Sequence, residues 1–358
     1  MSDATNLPAF KVTLDGRDLT DRIAPRLISL TISEKRGGEA DQLDLVFHDA
    51  DGTMAIPKEG ARLQISLGWA KVEPGAGIAI GLVDKGTFKV DEATYDGPPD
   101  QITIRARSAD LAGSYRRRRE RTHRATTIGA IVRRVAATHN LRPHISAELA
   151  SIEVPILVQD QASDMALVRL LGRRHDAVAQ VRHGRLIFSP IGAGVTASGR
   201  AIPAGTLTKR DGDKYTYKRA SREAYDGAEA RYHDQGTGRR RTVRVNAQGA
   251  RQPEGAVNPD PGTGPAASGR TPRRIRRVHH SEASAHHAAR SAARRDSRAA
   301  AEFEYGLALG RPDLYPERPI RVRGFKPEID GKKWVIAEAS HTLDGSGGLK
   351  TSLKLEVN

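Results

Sequence analysis

The 358-residue sequence predicts a mainly β, α+β protein. It divides into two antiparallel β-barrel domains, residues 1–112 and 198–358, with a small α/β domain, 113–197, inserted between them. Three observations carry this. The first hundred residues alternate apolar and polar side chains in short runs broken by turn residues; the pattern changes to helical periodicity after Ser114; strand-like alternation returns beyond Gly199. The length suits two or three domains, and 38% hydrophobic with only 4% aromatic residues suits several small cores rather than one large one.

The first domain reads as six strands: Ala9–Leu14, Leu27–Glu34, Gln42–His48, Arg62–Trp69, Gly86–Tyr95 and Gln101–Ala106. They are separated by Asp15-Gly16, Gly37-Gly38, Asp51-Gly52, Pro57–Gly60 and Gly97-Pro98-Pro99, residue types that turn the chain. Leu43, Leu45 and Phe47 share one face of their strand, as do Ile102 and Ile104, which predicts one buried and one wet side. In the second domain, Thr126 or Thr127 is placed to cap a helix with Ile128, Ile131, Val132, Val135 and Ala136 on one face, ending near Asn140 and Pro143. Ser163 opens another helix that buries Leu167, Leu170 and Leu171, with Gly172 near its end; Ala177–Val181 and Arg185–Ser189 form a hairpin around His183-Gly184.

Strand text resumes at Gly205–Lys209, Lys214–Glu223 and Ala228–Tyr232, read as the opening of the second β domain. Residues 236–277, rich in Gly, Pro and Arg, are expected to be a mobile basic loop, with Thr242–Val245 the one short strand signal. Ala-rich residues 281–304 contain neither Gly nor Pro, predicting a helix whose narrow alanine face suits a close neighbour. Pro319–Arg323, Lys333–Thr342 and Leu349–Val357 supply the closing strands.

Chemistry is sparse. With no cysteine there are no disulfides, thiolate metal sites or cysteine nucleophiles. His279, His280, His286 and His287 lack the i, i+4 pairing that puts two imidazoles on one metal; Glu282 and His286 have that spacing without a third ligand. His48 and His341 lie in strand text as packing or hydrogen-bonding residues. Asp41 with Asp44 and Asp49 with Asp51 read as turn carboxylates that satisfy backbone amides. No nucleophile elbow, phosphate loop or dinucleotide fingerprint is present, so no catalytic, cofactor or metal residue is assigned and no enzyme is expected. The polar start, Met1–Asn6, and the lack of a long apolar stretch point to synthesis in the cytoplasm without membrane insertion.

The formal charge of +15 favours an acidic partner surface. It concentrates in three arginine runs, and the candidate partner-binding residues are Arg116, Arg117, Arg118, Arg119, Arg121, Arg239, Arg240, Arg241, Arg273 and Arg274. Guanidinium groups bind phosphate well, but only Tyr115 offers an aromatic platform beside them. An acidic protein or a solvated surface is therefore favoured over nucleic acid.

Two stretches carry a family resemblance. Gln159-Asp160-Gln161-Ala162-Ser163-Asp164-Met165-Ala166-Leu167-Val168-Arg169-Leu170-Leu171, then Arg174-His175 and Gly184-Arg185-Leu186-Ile187-Phe188-Ser189-Pro190, resembles the central signature of late control D proteins of phage tails. Gly310-Arg311-Pro312-Asp313-Leu314-Tyr315-Pro316, Gly324-Phe325, Trp334-Val335-Ile336, His341 and Gly347-Gly348 resemble its C-terminal part. Three positions depart from it: Ala162 where an acid is common, and Asp176 and Glu317 where glycine is common.

The resemblance implies a baseplate hub related to the hub part of type VI secretion spike proteins. It implies two tube-like barrels plus an insert, assembled as a homotrimer with no cofactor. Three copies of two barrels would meet a sixfold tail tube on one side and a threefold spike protein on the other, with the tape measure and other baseplate proteins as further partners. The particle would be an infectious phage or another injection device. The insert also resembles a peptidoglycan-binding LysM module, which leaves wall binding, beside nucleic-acid binding through the arginine runs, as the alternative function.

Overall fold

The computed structural model describes residues 6–37, 40–75, 77–108, 115, 117–182, 184–196, 200–219, 225–234, 236–252, 272–345 and 348–358. Arg116, His183 and 253–271 therefore lie outside the described residues.

The predominance of antiparallel β structure expected from the sequence is what the structure has. Leu7–Leu14, Leu27–Lys35, Gln42–His48, Arg62–Lys71, Gly81–Asp96 and Gln101–Ser108 form the first β unit. Antiparallel pairing runs in the order 27–35, 42–48, 101–108, 81–96, 62–71, 7–14. Alternation decides which face turns inward: Leu43, Leu45 and Phe47 join Ile102, Ile104, Ile65 and Leu67 in one core.

In the insert, Thr127 Oγ1 accepts from Ala130 N at 3.2 Å and starts the helix Ile128–Thr138, which buries the five predicted side chains. Ser163 Oγ accepts from Ala166 N at 3.1 Å and starts Asp164–His175. Val168 rather than Leu170 joins Leu167 and Leu171 in the core. Gly172 lies in the last turn of this helix, near its end as expected, where the strand Ala177–Arg182 packs directly on it: a Cβ there would sit 2.7 Å from Ala179 Cβ. The hairpin with Arg185–Pro190 forms as expected, and Arg142–Ile145 adds a parallel third strand.

Residues 227–299 correct the sequence reading. Gly227–His233 belongs not to the second barrel but to a separate four-stranded sheet with Arg240–Asn246, Arg251–Gln252 and Arg273–His279. Both flanks of the expected loop are thus strands. Most of their arginines are exposed while Ala228, Ala230, Val243 and Val245 face inward, a pattern that composition alone conceals. The helix covering this sheet runs Glu282–Ala299, shorter than expected, since Ala301–Leu307 is a strand burying Phe303, Tyr305 and Leu307. Ala285, Ala289, Ala292 and Ala293 press on Ala228 and Ala230, small on small, so the close neighbour of the alanine face lies within the same chain.

Among the described residues the two β units do not close into two separate barrels. Gly212–Arg219, Ala301–Leu307, Gly348–Val357 and Trp334–Asp344 continue directly into Leu27–Lys35, giving one 13-stranded sheet. The 11-residue strand Trp334–Asp344 is long enough to serve two partners. Trp334 and Val335 pair with Ile320 and Pro319, while Glu338–Asp344 pair with Lys35–Ser29. The edge that would close a barrel is spent on joining the two units. Trp69 Nε1 adds a 2.8 Å hydrogen bond to the Gly310 carbonyl across the same junction.

Candidate functional site: charged junctions and a basic cleft

The described members of the arginine runs do not converge on one site. Arg118, Arg119 and Arg121 lie on Arg118–Thr127, which pairs with Glu153–Ser163. Arg119 Nε lies 3.3 Å from the fully buried Asp164, which also binds His139 Nε2 at 2.9 Å and Gln159 Nε2 at 3.0 Å, so this arginine is bound into the insert's own fold. Arg239–Arg241 belong to the four-stranded sheet and its turn, Arg241 sitting 3.3 Å from Asp234. Arg273 pairs with Asp296 at 2.5 Å and Arg274 with Glu229.

Of the described members of the ten, Arg273 and Arg274 alone line a cleft of about 780 Å³ between the insert and the four-stranded sheet. One wall is Ile152–Leu157, the other Arg273–His280, with Arg173, Arg174 and His175 between them.

Two buried junctions connect charged groups that are far apart in the sequence. At the first, Glu34 Oε2 lies 2.7 Å from Lys85 Nζ and 3.3 Å from His341 Nε2. Lys85 Nζ is 3.0 Å from the same imidazole, and His341 Nδ1 reaches Thr351 Oγ1 at 2.8 Å. Arg182 of the insert stands 3.6 Å from Glu34 and 2.8 Å from Asp41. First β unit, insert and second β unit thus meet at one carboxylate. Burial pushes the Glu34 carboxyl up, but His341, Lys85 and Arg182 outweigh it and hold it down at about 2. A period-two signal was present: Glu34 follows Leu30 and Ile32 on the inward face, and His341 lies between Ala339 and Leu343.

The second junction is a chain of charges. Arg36 lies 2.5 Å from Glu317 and 2.6 Å from Glu356; Glu356 is 4.0 Å from Arg298, which pairs with Asp176; Glu317 also accepts from Gly192 N at 2.8 Å. Desolvation pushes the Glu317 carboxyl up against the pull of Arg36.

A half-buried histidine, His175, and a fully buried one, His341, make stability depend on pH. Burial, then the charges of His287, Arg174 and His279, holds His175 down to about 4; burial, then Lys85, lowers His341. Below the unfolded value of about 6.5 the unfolded chain takes up protons that the fold refuses, so stability falls as pH drops from there through the folded values. The contribution of Glu34 is present above the ordinary carboxylate value and is lost as pH falls towards 2. Melting curves across this range are expected to show the midpoint falling by several degrees between pH 7 and about 4.5. His175→Gln should flatten that slope; a midpoint independent of pH there contradicts neutral burial.

Among the described residues no group of three or more His, Asp or Glu is placed to hold a metal ion. No described helix is long and apolar enough to cross a membrane.

Comparison with known proteins decides the family. Residues 42–347 match the family model described as "Phage tail baseplate hub (GPD)". The probable baseplate hub protein of Escherichia phage P2 is 37% identical over 373 residues, covering 99% of this chain and 94% of that protein. This chain belongs to the phage tail baseplate hub family.

Solved structures agree in fold. A tail protein from Neisseria meningitidis MC58 superposes with a TM-score of 0.64 at 12% identity, covering 98% of this chain and 97% of its own. An Escherichia coli component of the type VI secretion system, described as structurally similar to T4 tail proteins, gives 0.52 at 13% identity over 93% of this chain and 74% of its own. The baseplate hub resemblance seen in the sequence is thus what the comparisons show.

Within this hub chain, both glycine departures fall in the second junction. Asp176 and Glu317 adopt left-handed backbones, φ 54° and 73°, where glycine carries no Cβ penalty. Each side chain supplies a carboxylate to the Arg36 and Arg298 chain instead. Local backbone strain and cross-domain pairing are therefore exchanged at the same two residues.

Proposed function

We propose that this hub chain is a trimeric adapter on the axis of the tail baseplate, joining the sixfold tail tube to the threefold spike by assembly and not by catalysis. The observation that carries the reading is the fusion of two β units into one sheet whose ends are open. Among the described residues, Gly212–Arg219 pairs only with Ala301–Leu307, and at the far end Leu7–Leu14 pairs with Arg62–Lys71 and, over its last two residues, with Arg17–Asp18. Leu7, 54% exposed, and Tyr215, 45% exposed, stand on those end strands. An open edge seeks a partner, and end-to-end contact around a closed rotation gives a ring. Two β units per copy and three copies give six positions facing the tube and a threefold face for the spike. Domain limits near 112 and 198 fit this reading, with the four-stranded sheet and its helix as an appendage of the second unit.

Sedimentation and electron microscopy with the cognate spike protein test it. A trimer of 38.8 kDa copies forming a ring with a lumen is expected. Tyr215→Glu should weaken assembly without changing the fold of the single copy. A monomer at high concentration that forms no ring with the spike protein overturns the proposal.

A further inference from the structure

The cleft between the insert and the four-stranded sheet has features that the hub reading leaves unused. We propose that it is a docking groove for an extended, acidic segment of another polypeptide, which adds a strand along Arg273–His279 and sets carboxylates against Arg174, Arg276 and Arg277.

Backbone geometry is the first argument. Among the described residues, Arg273–His279 is an edge strand paired only with Gly227–His233, and Glu153–Ser163 pairs only with Arg118–Thr127. Residues from both strands wall the same groove. Seven strand residues offer an edge about 20 Å long, the template that strand addition requires.

Charge complementarity is the second and selects the occupant. Seven arginines line the groove, and Glu153 is the one carboxylate among its described lining. Arg273, Arg274 and Arg295 are already met by Asp296, Glu229 and Asp176. Arg174, Arg276 and Arg277 form no ion pair among the described residues, and all three are exposed. Burial and then the neighbouring Arg277 lower Arg174, so like charges crowd here without an anion between them. His175 Nδ1 and His279 Nε2, both buried at the groove, likewise have no hydrogen-bond partner among the described residues.

The third argument is apolar. Ile156, 57% exposed, on one wall, Val278 on the other and Tyr225 give the lining exposed apolar surface, suiting apolar side chains of an extended segment. Tyr225 is the one tyrosine, tryptophan or phenylalanine among the described lining, so stacked bases would find no run of platforms there.

The test measures anisotropy of a fluorescent peptide of alternating Glu and Val on the full chain, so it does not depend on trimer or ring formation. Three comparisons accompany it: the same peptide N-methylated on alternate amides, an oligothymidine of equal length, and the variants Arg276→Glu/Arg277→Glu and Arg174→Glu, each first shown to melt as the parent does. Expected are binding of the plain peptide, a loss of about tenfold or more in each variant, and a similar loss on N-methylation. The proposal is overturned by no binding, by binding that the variants leave unchanged, or by equal binding of the N-methylated peptide, which would mean charge attraction without strand addition. Tighter binding of the oligothymidine at the same salt also overturns it, in favour of a phosphate-binding surface.

Discussion

Glu34→Ala is expected to cost about 3–5 kcal/mol, enough to lower the melting midpoint on the order of 10 °C at fixed protein concentration. Glu34 is the shared acceptor for three cationic or potentially cationic groups, and the side chain of Lys85 is only 3% exposed while His341 is wholly enclosed. Removing the carboxylate leaves the Lys85 ammonium in a site from which water is excluded. Its own pKa, already lowered by desolvation against the pull of Glu34, then falls further. The penalty is that of an orphaned charge, not the net worth of the pair, and this separates two explanations. The double substitution Glu34→Met with Lys85→Met removes both charges and should regain most of the loss. If the double variant is as unstable as the single one, packing at this position and not charge compensation holds the junction. Because the node ties both β units to the insert, limited proteolysis of the single variant should also cut between them sooner.

Trp334→Ala should cost about 3–5 kcal/mol, measured by denaturant unfolding as a lower midpoint. Trp334 is the largest of the fully buried side chains and starts the strand that joins the two β units. Its ring lies 5.7 Å from Phe303 and 6.4 Å from Tyr217, and its Nε1 donates to the Ile329 carbonyl at 3.0 Å. Truncation opens a cavity among aromatic neighbours that cannot collapse into it and leaves that carbonyl without its indole donor. Trp334→Phe keeps most of the volume and loses the donor, so it should cost about 1–2 kcal/mol. Equal losses for the two variants would show that the hydrogen bond, not the filled volume, is decisive.

The elements most legible in the sequence are those whose hydrophobic pattern is self-contained. Leu43, Leu45 and Phe47 point into the core because a strand repeats every two residues, and Thr127 and Ser163 start their helices because a hydroxyl satisfies a free amide. The segments around 240–246 and 273–279 look like loop in the sequence because arginine-rich strands depend on the alanine helix across from them for their buried face. The arginine runs signalled charge correctly, but Arg119, Arg273 and Arg274 proved to be partly committed to carboxylates within the chain. The strand pattern marks His341 as a packing or hydrogen-bonding residue but does not name its partners. Those partners, Glu34 and Lys85, lie more than 250 residues away in sequence.

By itself, the amino-acid sequence determined the predominance of β structure, the small α/β insert, the helix starts and the baseplate hub family, since each is written in short-range pattern and residue identity. Only the tertiary structure decided that the two β units share one sheet, that Asp176 and Glu317 turn glycine positions into parts of a charge chain, and which arginines line the cleft. The reason is physical: register and burial of charge depend on which distant strands meet, and a pairing such as Glu338 with Lys35 leaves no mark on the residues adjacent to either.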